Sequence, residues 1–194
     1  MRPSETLDWI EARPLDPEPL VVRGGVFTNI ANRIANPKHQ EVGYKYWGRN
    51  IRINRSNTEI DGVILRVTGE TDVGQPYDGF LKAEQCANVT LRNCSIDGRA
   101  PGKPSLAGSY GYNAFLVVNF RMINCTMENI HDRSRWGVIA TNFMKNILIE
   151  DCVLSRMDVH QGVSGDYIIR RTTLGYQGLI AIGRGRLIVE DLAR

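Results

Sequence analysis

Short apolar alternations interrupted by one extra residue recur along the chain. Val89-Thr-Leu-Arg-Asn-Cys-Ser-Ile96, Phe120-Arg-Met-Ile-Asn-Cys-Thr-Met127 and Ile147-Leu-Ile-Glu-Asp-Cys-Val-Leu154 share the pattern apolar-x-apolar-x-x-Cys-x-apolar. Tyr167–Leu174 keeps it with Thr172 at the cysteine position, and Leu187–Leu192 begins it again. Upstream, Leu20–Phe27 and Thr58–Leu65 fit with Gly25 and Val63 there. Period two marks a strand with alternate side chains buried. The extra residue inserts a bend, after which the next strand again turns its apolar residues inward, and no helical period has that form. Successive copies are 38, 31, 31, 27, 20 and 20 residues apart. A step of about 20 fits one full turn of a solenoid, and longer steps carry looped-out insertions.

The residue before each cysteine position is Gly24, Gly62, Asn93, Asn124, Asp151, Arg171 or Asp191. Gly, Asn and Asp suit a tight bend because they tolerate left-handed backbone or bond their own backbone; Arg171 does not fit that rule. A further strand, starting at Gly79-Phe-Leu, Ala114-Phe-Leu, Gly137-Val-Ile, Gly162-Val and Gly178-Leu-Ile, precedes each of the later copies. The predicted fold is therefore all-β: a right-handed parallel β-helix of about seven coils, three short strands per coil, with long loops on one edge. It occupies residues 20–192 of a single domain spanning 1–194, with 1–19 as an irregular lead-in. The final coil has no polar closing turn to cover its strand edge, so a longer natural chain, or cover by another chain, is expected. Cys94, Cys125 and Cys152 are predicted to stack inside as free thiols that behave as small hydrophobes. Cys86 lies outside the repeat and is expected to be unpaired.

Because coils stack in register, loops distant in sequence become neighbours along that edge. They are Val67–Asp78, Asp97–Asn113, Glu128–Trp136, Ser155–Gln161 and Gly175–Gln177. They gather carboxylates, arginines and aromatic rings, a mixture suited to sugars: rings cover pyranose faces while charged groups bond hydroxyls. Asp132 and Asp158 fall on adjacent coils, about 5–10 Å apart, a range that includes the carboxyl separations of glycoside hydrolysis. They are the candidate acid/base pair. His160 is a candidate proton carrier, and Arg156 a group that binds or stabilises negative charge. Tyr110, His131, Arg133, Arg135, Trp136, Gln161, Tyr176 and Gln177 are candidate substrate contacts. Tyr44–Arg49, with its three aromatic rings, is a further sugar platform or a cover over the first coils.

Composition narrows the classes. With 24 basic and 21 acidic residues the net charge is only +3, so a dedicated nucleic-acid binder is not expected. No run approaches 18 apolar residues, and no membrane span is predicted. The first residues lack the order of a secretion signal. No C-x-x-C pair occurs, which argues against a zinc or dithiol site; no metal or cofactor is predicted.

The strings Ile53–Gly62 (INRSNTEIDG), Ala107–Tyr110 (AGSY), Trp136–Asn142 (WGVIATN), Ser155–Val163 (SRMDVHQGV) and Leu174–Gly178 (LGYQG) carry a resemblance. Over roughly residues 20–192 the chain resembles the pectate-lyase-like β-helix superfamily of polysaccharide lyases, glycoside hydrolases and phage tailspikes. Within it, the same strings in the same order resemble a narrower bacterial and phage-encoded group. The resemblance implies the β-helix and a polysaccharide partner, and a location outside the cell or on a virion. The calcium-binding acidic cluster of pectate lyases has no counterpart on these strands, so Ca2+ is not supported. Two functions follow as expectations. One is a carbohydrate-active protein that binds and cleaves a polysaccharide as a hydrolase or lyase. The other is a non-catalytic shaft or adhesion module, trimeric or stacked end to end.

Overall fold

The computed structural model describes residues 11–12, 14–30, 50–69, 80–98, 111–132 and 139–193. Within them every strand pairing is parallel. One sheet has seven strands in the order β1(Leu20–Arg23), β4(Thr58–Asp61), β7(Ala87–Arg92), β10(Val118–Ile123), β13(Met144–Glu150), β15(Val163–Arg170) and β17(Arg186–Glu190). The second has ten strands. Its path runs β2(Val26–Ile30), β5(Ile64–Thr68), β8(Ser95–Ile96), β11(Thr126–Met127), β14(Val153–Val159), β12(Ile139–Asn142), β9(Tyr112–Phe115), β6(Leu81–Glu84) and β3(Ile51–Ile53), with β16(Thr173–Ile180) on β14. All-β chains with parallel sheets threaded in this alternation are consistent with a β-solenoid.

Register follows the aligned motifs. Leu20 pairs with Thr58, Thr58 with Val89, Val89 with Phe120, Phe120 with Ile147, Ile147 with Tyr167 and Tyr167 with Leu187. Parallel pairing puts side chains of equivalent positions one above another about 4.8 Å apart. The interior therefore consists of columns of like residues, among them Val63, Cys94, Cys125, Cys152 and Thr172, each at most 1% exposed. All four cysteines are free and buried. Thr172 occupies the thiol position without leaving its hydroxyl idle: it accepts a hydrogen bond from the Cys152 amide at 3.3 Å and donates to the Arg170 carbonyl at 3.0 Å. Hydrogen bonding with Cys152 and Cys94, and then burial, push the Cys125 thiol far above its ordinary range. Burial raises Cys86 to about 11. Neither is a thiolate at neutral pH.

The corners hold the columns together. All seven bend residues have positive φ, between 45° and 67°. Arg171 joins them although its residue type does not favour that backbone. Its guanidinium bonds Asp151 one coil earlier at 2.7 Å and also Glu150, contacts that fix the bend from outside. Arg170 above all, and Arg171 with it, hold the Glu150 carboxyl below its usual value against the opposing effect of burial. A second corner is a ladder of left-handed asparagines, Asn57, Asn88, Asn119 and Asn146, with φ between 53° and 58°. Each amide donates to the side-chain oxygen of the one before, at 2.8, 2.8 and 2.9 Å. Gly165 ends the ladder, because a Cβ there would lie 2.1 Å from Asn146 Oδ1. Asn88, which opens the N-x-S/T string Asn88-Val-Thr90, is thus part of a structural ladder.

Two features differ from the sequence-based expectation. Ser155–Gln161 and Gly175–Gln177 were predicted as loops, but β14 runs through Val159 and β16 through the whole of Gly175–Gln177. A coil of 20 residues has nothing to loop out, so the corner is absorbed by a β-bulge between Leu154 and Arg156. For the same reason Gly162-Val163 is not the strand that precedes a motif: Val163 already starts β15, and the C-terminal half of β14 takes that place. The insertion Glu128–Trp136 falls between β11 and β12, whereas Val67–Asp78 begins inside β5, which runs to Thr68, and Asp97–Asn113 ends inside β9, which starts at Tyr112.

The asparagine ladder yields a direct test. Asn119→Ala removes two side-chain hydrogen bonds and puts a Cβ residue without local bonding in left-handed backbone, a loss of about 2–4 kcal/mol. Asn119→Gly keeps the backbone freedom and loses only the bonds. Denaturant unfolding should rank wild type above Asn119→Gly, and Asn119→Gly above Asn119→Ala.

Candidate functional site

The fused strand β14 builds the site. Met157, Asp158 and Val159 pair with Ile139, Ala140 and Thr141 of β12 on one side, and Met157 and Asp158 with Leu179 and Ile180 of β16 on the other. Met157 and Val159 enter the core. Alternation therefore turns Arg156, Asp158 and His160 onto the opposite, outer face. Thr141 braces the strand by donating to the Asp158 carbonyl at 3.3 Å.

On that face the three ionisable groups converge. Arg156 Nη2 lies 2.6 Å and His160 Nε2 3.0 Å from the same Asp158 oxygen, Oδ2. The Asp158 side chain is 0% exposed, Arg156 12% and His160 46%. A carboxylate removed from water is tolerated only when paired and hydrogen-bonded, and these two partners supply that at Oδ2. Its charge is felt beyond the trio: burial first, and then Asp158, raise the phenol of the buried Tyr167 well above its ordinary value. The outcome is graded. Asp158 is the fixed, inaccessible centre, and the imidazole is its half-exposed outlet.

The turn that carries His131 and Asp132 reaches the same region. The Asp132 amide donates to the Asn129 carbonyl at 2.9 Å, closing the turn after β11. The Ile130 carbonyl oxygen lies 2.1 Å from where a Cβ on Gly175 would stand. Gly175 belongs to β16, on the far side of β14 from β11. The turn therefore spans β14 and meets the bulge that precedes Arg156. Tyr176, half-buried, follows Gly175 in that bulge, and Gln161, exposed, follows His160. Tyr110, Arg133, Arg135, Trp136 and Tyr44–Arg49 lie outside the described residues, as does the side chain of Gln177. Among the described residues no three of His, Cys, Asp and Glu gather at metal-binding distance.

The sequence placed Asp158, Arg156 and His160 in one segment with the carboxylate exposed; in the structure the three are in contact and the carboxylate is buried. Thr141 and Tyr167 were missed; both sit in apolar strand patterns that read as core. So was the exposed Phe143 that follows β12, whose ring meets Phe115 edge to face at 5.7 Å.

No known family profile matches the chain, and no curated protein matches it either. Among solved structures it is similar to a "putative glycosyl hydrolase" from Parabacteroides merdae, with a TM-score of 0.53 and 14% identity, covering 90% of this chain and 80% of that one. The two share a fold. At that identity the likeness places the site on a scaffold and leaves its chemistry to the residues.

The turn's dependence on Gly175 is testable by comparison with Gly178. Gly178 has φ +67° and nothing within 4 Å of an added Cβ, whereas Gly175 needs space rather than left-handed backbone. Gly175→Ala should lower stability by about 1–3 kcal/mol through overpacking, and Gly178→Asn should cost well under that. Paired thermal melts read both.

Proposed function

We propose that this is a carbohydrate-active protein, built on a right-handed pectate-lyase-like β-helix of seven coils, that cleaves a polysaccharide on the outer face of β14. One observation carries the reading: a fully buried carboxylate, clamped by Arg156, holds a half-exposed histidine by Nε2. An imidazole whose Nε2–H donates to Asp158 carries its basic lone pair on Nδ1. Orientation of a histidine by a buried carboxylate is the arrangement by which proton transfer is made efficient. His160 takes the role of proton carrier. Asp158, inaccessible to a chain of sugars, is the residue that positions it, and not one of a pair of exposed acids. Asp132, on the turn that spans β14, is the second carboxylate. His131, Tyr176 and Gln161 line the approach; Tyr110, Arg133, Arg135, Trp136 and Gln177 are substrate contacts proposed from the sequence alone. A polysaccharide substrate suits a protein that works outside the cell or on a virion.

The same clamp supports a second reading. An ion trio with a buried centre also fixes a strand corner, and then the protein is a non-catalytic glycan-recognising module such as a tailspike shaft or surface-protein domain, trimeric or stacked.

Incubation with a panel of acidic and neutral polysaccharides, followed for new reducing ends and for unsaturated products, separates the two. Turnover that falls about 10²–10⁴-fold in His160→Ala and comparably in Asp158→Asn, with the fold intact, supports the enzyme. Glycan binding without turnover on any substrate selects the module.

A further inference from the structure

Beside His160 the surface carries a second site. Two stacked columns meet at the corner where the second sheet passes into the first. Leu116, Phe143, Gly162 and Ile182 form one. Val118, Lys145 and Ser164 form the other through direct pairing, and Arg184 follows because Val163 bridges to Gly183. In the rung of Gly162 and Ser164 both columns lose their bulk. The gap between the rungs on either side opens a cleft of about 920 Å³. Phe143 and Ile182, 51% and 53% exposed, stand at its two ends beside Gly162. Lys145 and Arg184 stand likewise on either side of Ser164. Rungs two steps apart are separated by about 9–10 Å, which leaves room between the facing side chains for one flat ring.

The backbone argues that this apolar surface is retained for a purpose. Leu116 and Phe143 have φ of 54° and 52°, a conformation unfavourable for bulky side chains and well suited to asparagine. The neighbouring corner places asparagine at every equivalent left-handed position from Asn57 to Asn146. At the Phe143 corner the chain instead exposes large apolar groups on strained backbone, the pattern associated with binding sites. Charge identifies the ligand's other half. Lys145 and Arg184 are exposed, and no carboxylate among the described residues lies within ion-pair distance of either.

We infer that this cleft binds a flat apolar ring bearing one anionic group, an aromatic carboxylate, with the ring between Phe143 and Ile182 and the carboxylate between Lys145 and Arg184. The lining is mainly apolar, with Leu116, Val118, Phe143 and Ile182 as its walls and Gln161 and Ser164 as its neutral polar side chains, so a hydroxyl-rich sugar acid would lose more hydration than these groups replace. That decides for an aromatic ring over a uronate. The cleft adjoins the approach to His160 through Gln161, which lines both.

The probe is 2-naphthoate, titrated into the full chain with its fluorescence and by calorimetry, alongside neutral 2-naphthalenemethanol and glucuronate. One-to-one saturable binding of 2-naphthoate is expected, at least tenfold tighter than either comparison compound and weakened by added salt. Lys145→Ala with Arg184→Ala should weaken it at least tenfold, and Lys145→Arg should preserve it. Phe143→Asn should abolish binding while leaving the melting temperature unchanged or higher, an outcome that loss of fold cannot imitate. Equal binding of the neutral compound, tighter binding of glucuronate, no saturation by 2-naphthoate at millimolar concentration, or full binding by Phe143→Asn would each overturn the assignment.

Discussion

The parallel backbone ladder is the constraint on which everything else rests. Hydrogen bonds such as Asn93 N–H to the Ile123 carbonyl and Asn124 N–H to the Glu150 carbonyl, both 3.0 Å, lock each coil directly over the next. Once register is set, a residue type that works at one position of one coil works at the same position of its neighbours. The interior becomes a column of cysteines and the corner a column of asparagines. The surface becomes rows in which Arg171 finds Asp151 and Arg186 finds Asp166, 20 residues away. Stability of this kind is a sum of nearest-neighbour contacts between coils.

Local chemistry arises where the ladder is bent. The bulge between Leu154 and Arg156 accompanies a strand that pairs with β11 in its first half and with β12 in its second. That strand presents Arg156 and Asp158 from regular strand, with His160 in the bend immediately after it. A carboxylate on a paired strand is held far more closely than one on a loop, and the burial of Asp158 follows from that placement. The same economy at Gly162 and Ser164, one rung further on, leaves the cleft beside it. Catalytic candidate and cleft are thus both consequences of the shortest coils in the chain.

How much of this could be read from the residues depends on what the residues advertise. The cysteine-centred motifs gave register to the residue, because an extra position between two apolar pairs has one structural meaning. Left-handed bends were legible at Gly24, Gly62, Asn93, Asn124, Asp151 and Asp191, whose types favour them. They were illegible at Arg171, Leu116 and Phe143, whose backbone is imposed by stacking and not by propensity. SRMDVHQ reads as a loop because its charged residues draw attention first, although Met157 and Val159 alternate with them as in a strand and enter the core, and the 20-residue step leaves no loop to fit. The asparagine ladder was obscured because Asn57, Asn88, Asn119 and Asn146 stand beside the apolar motif rather than in it.

The central claim is that Asp158 fixes the tautomer and orientation of His160. With only three histidines in the chain, imidazole 15N resonances can be assigned by loss of one set in His160→Gln. The account predicts that neutral His160 is the Nε2–H tautomer, with a hydrogen-bonded, slowly exchanging proton that disappears in Asp158→Asn. A neutral His160 protonated on Nδ1, or one averaging between tautomers in the wild-type protein, would contradict it.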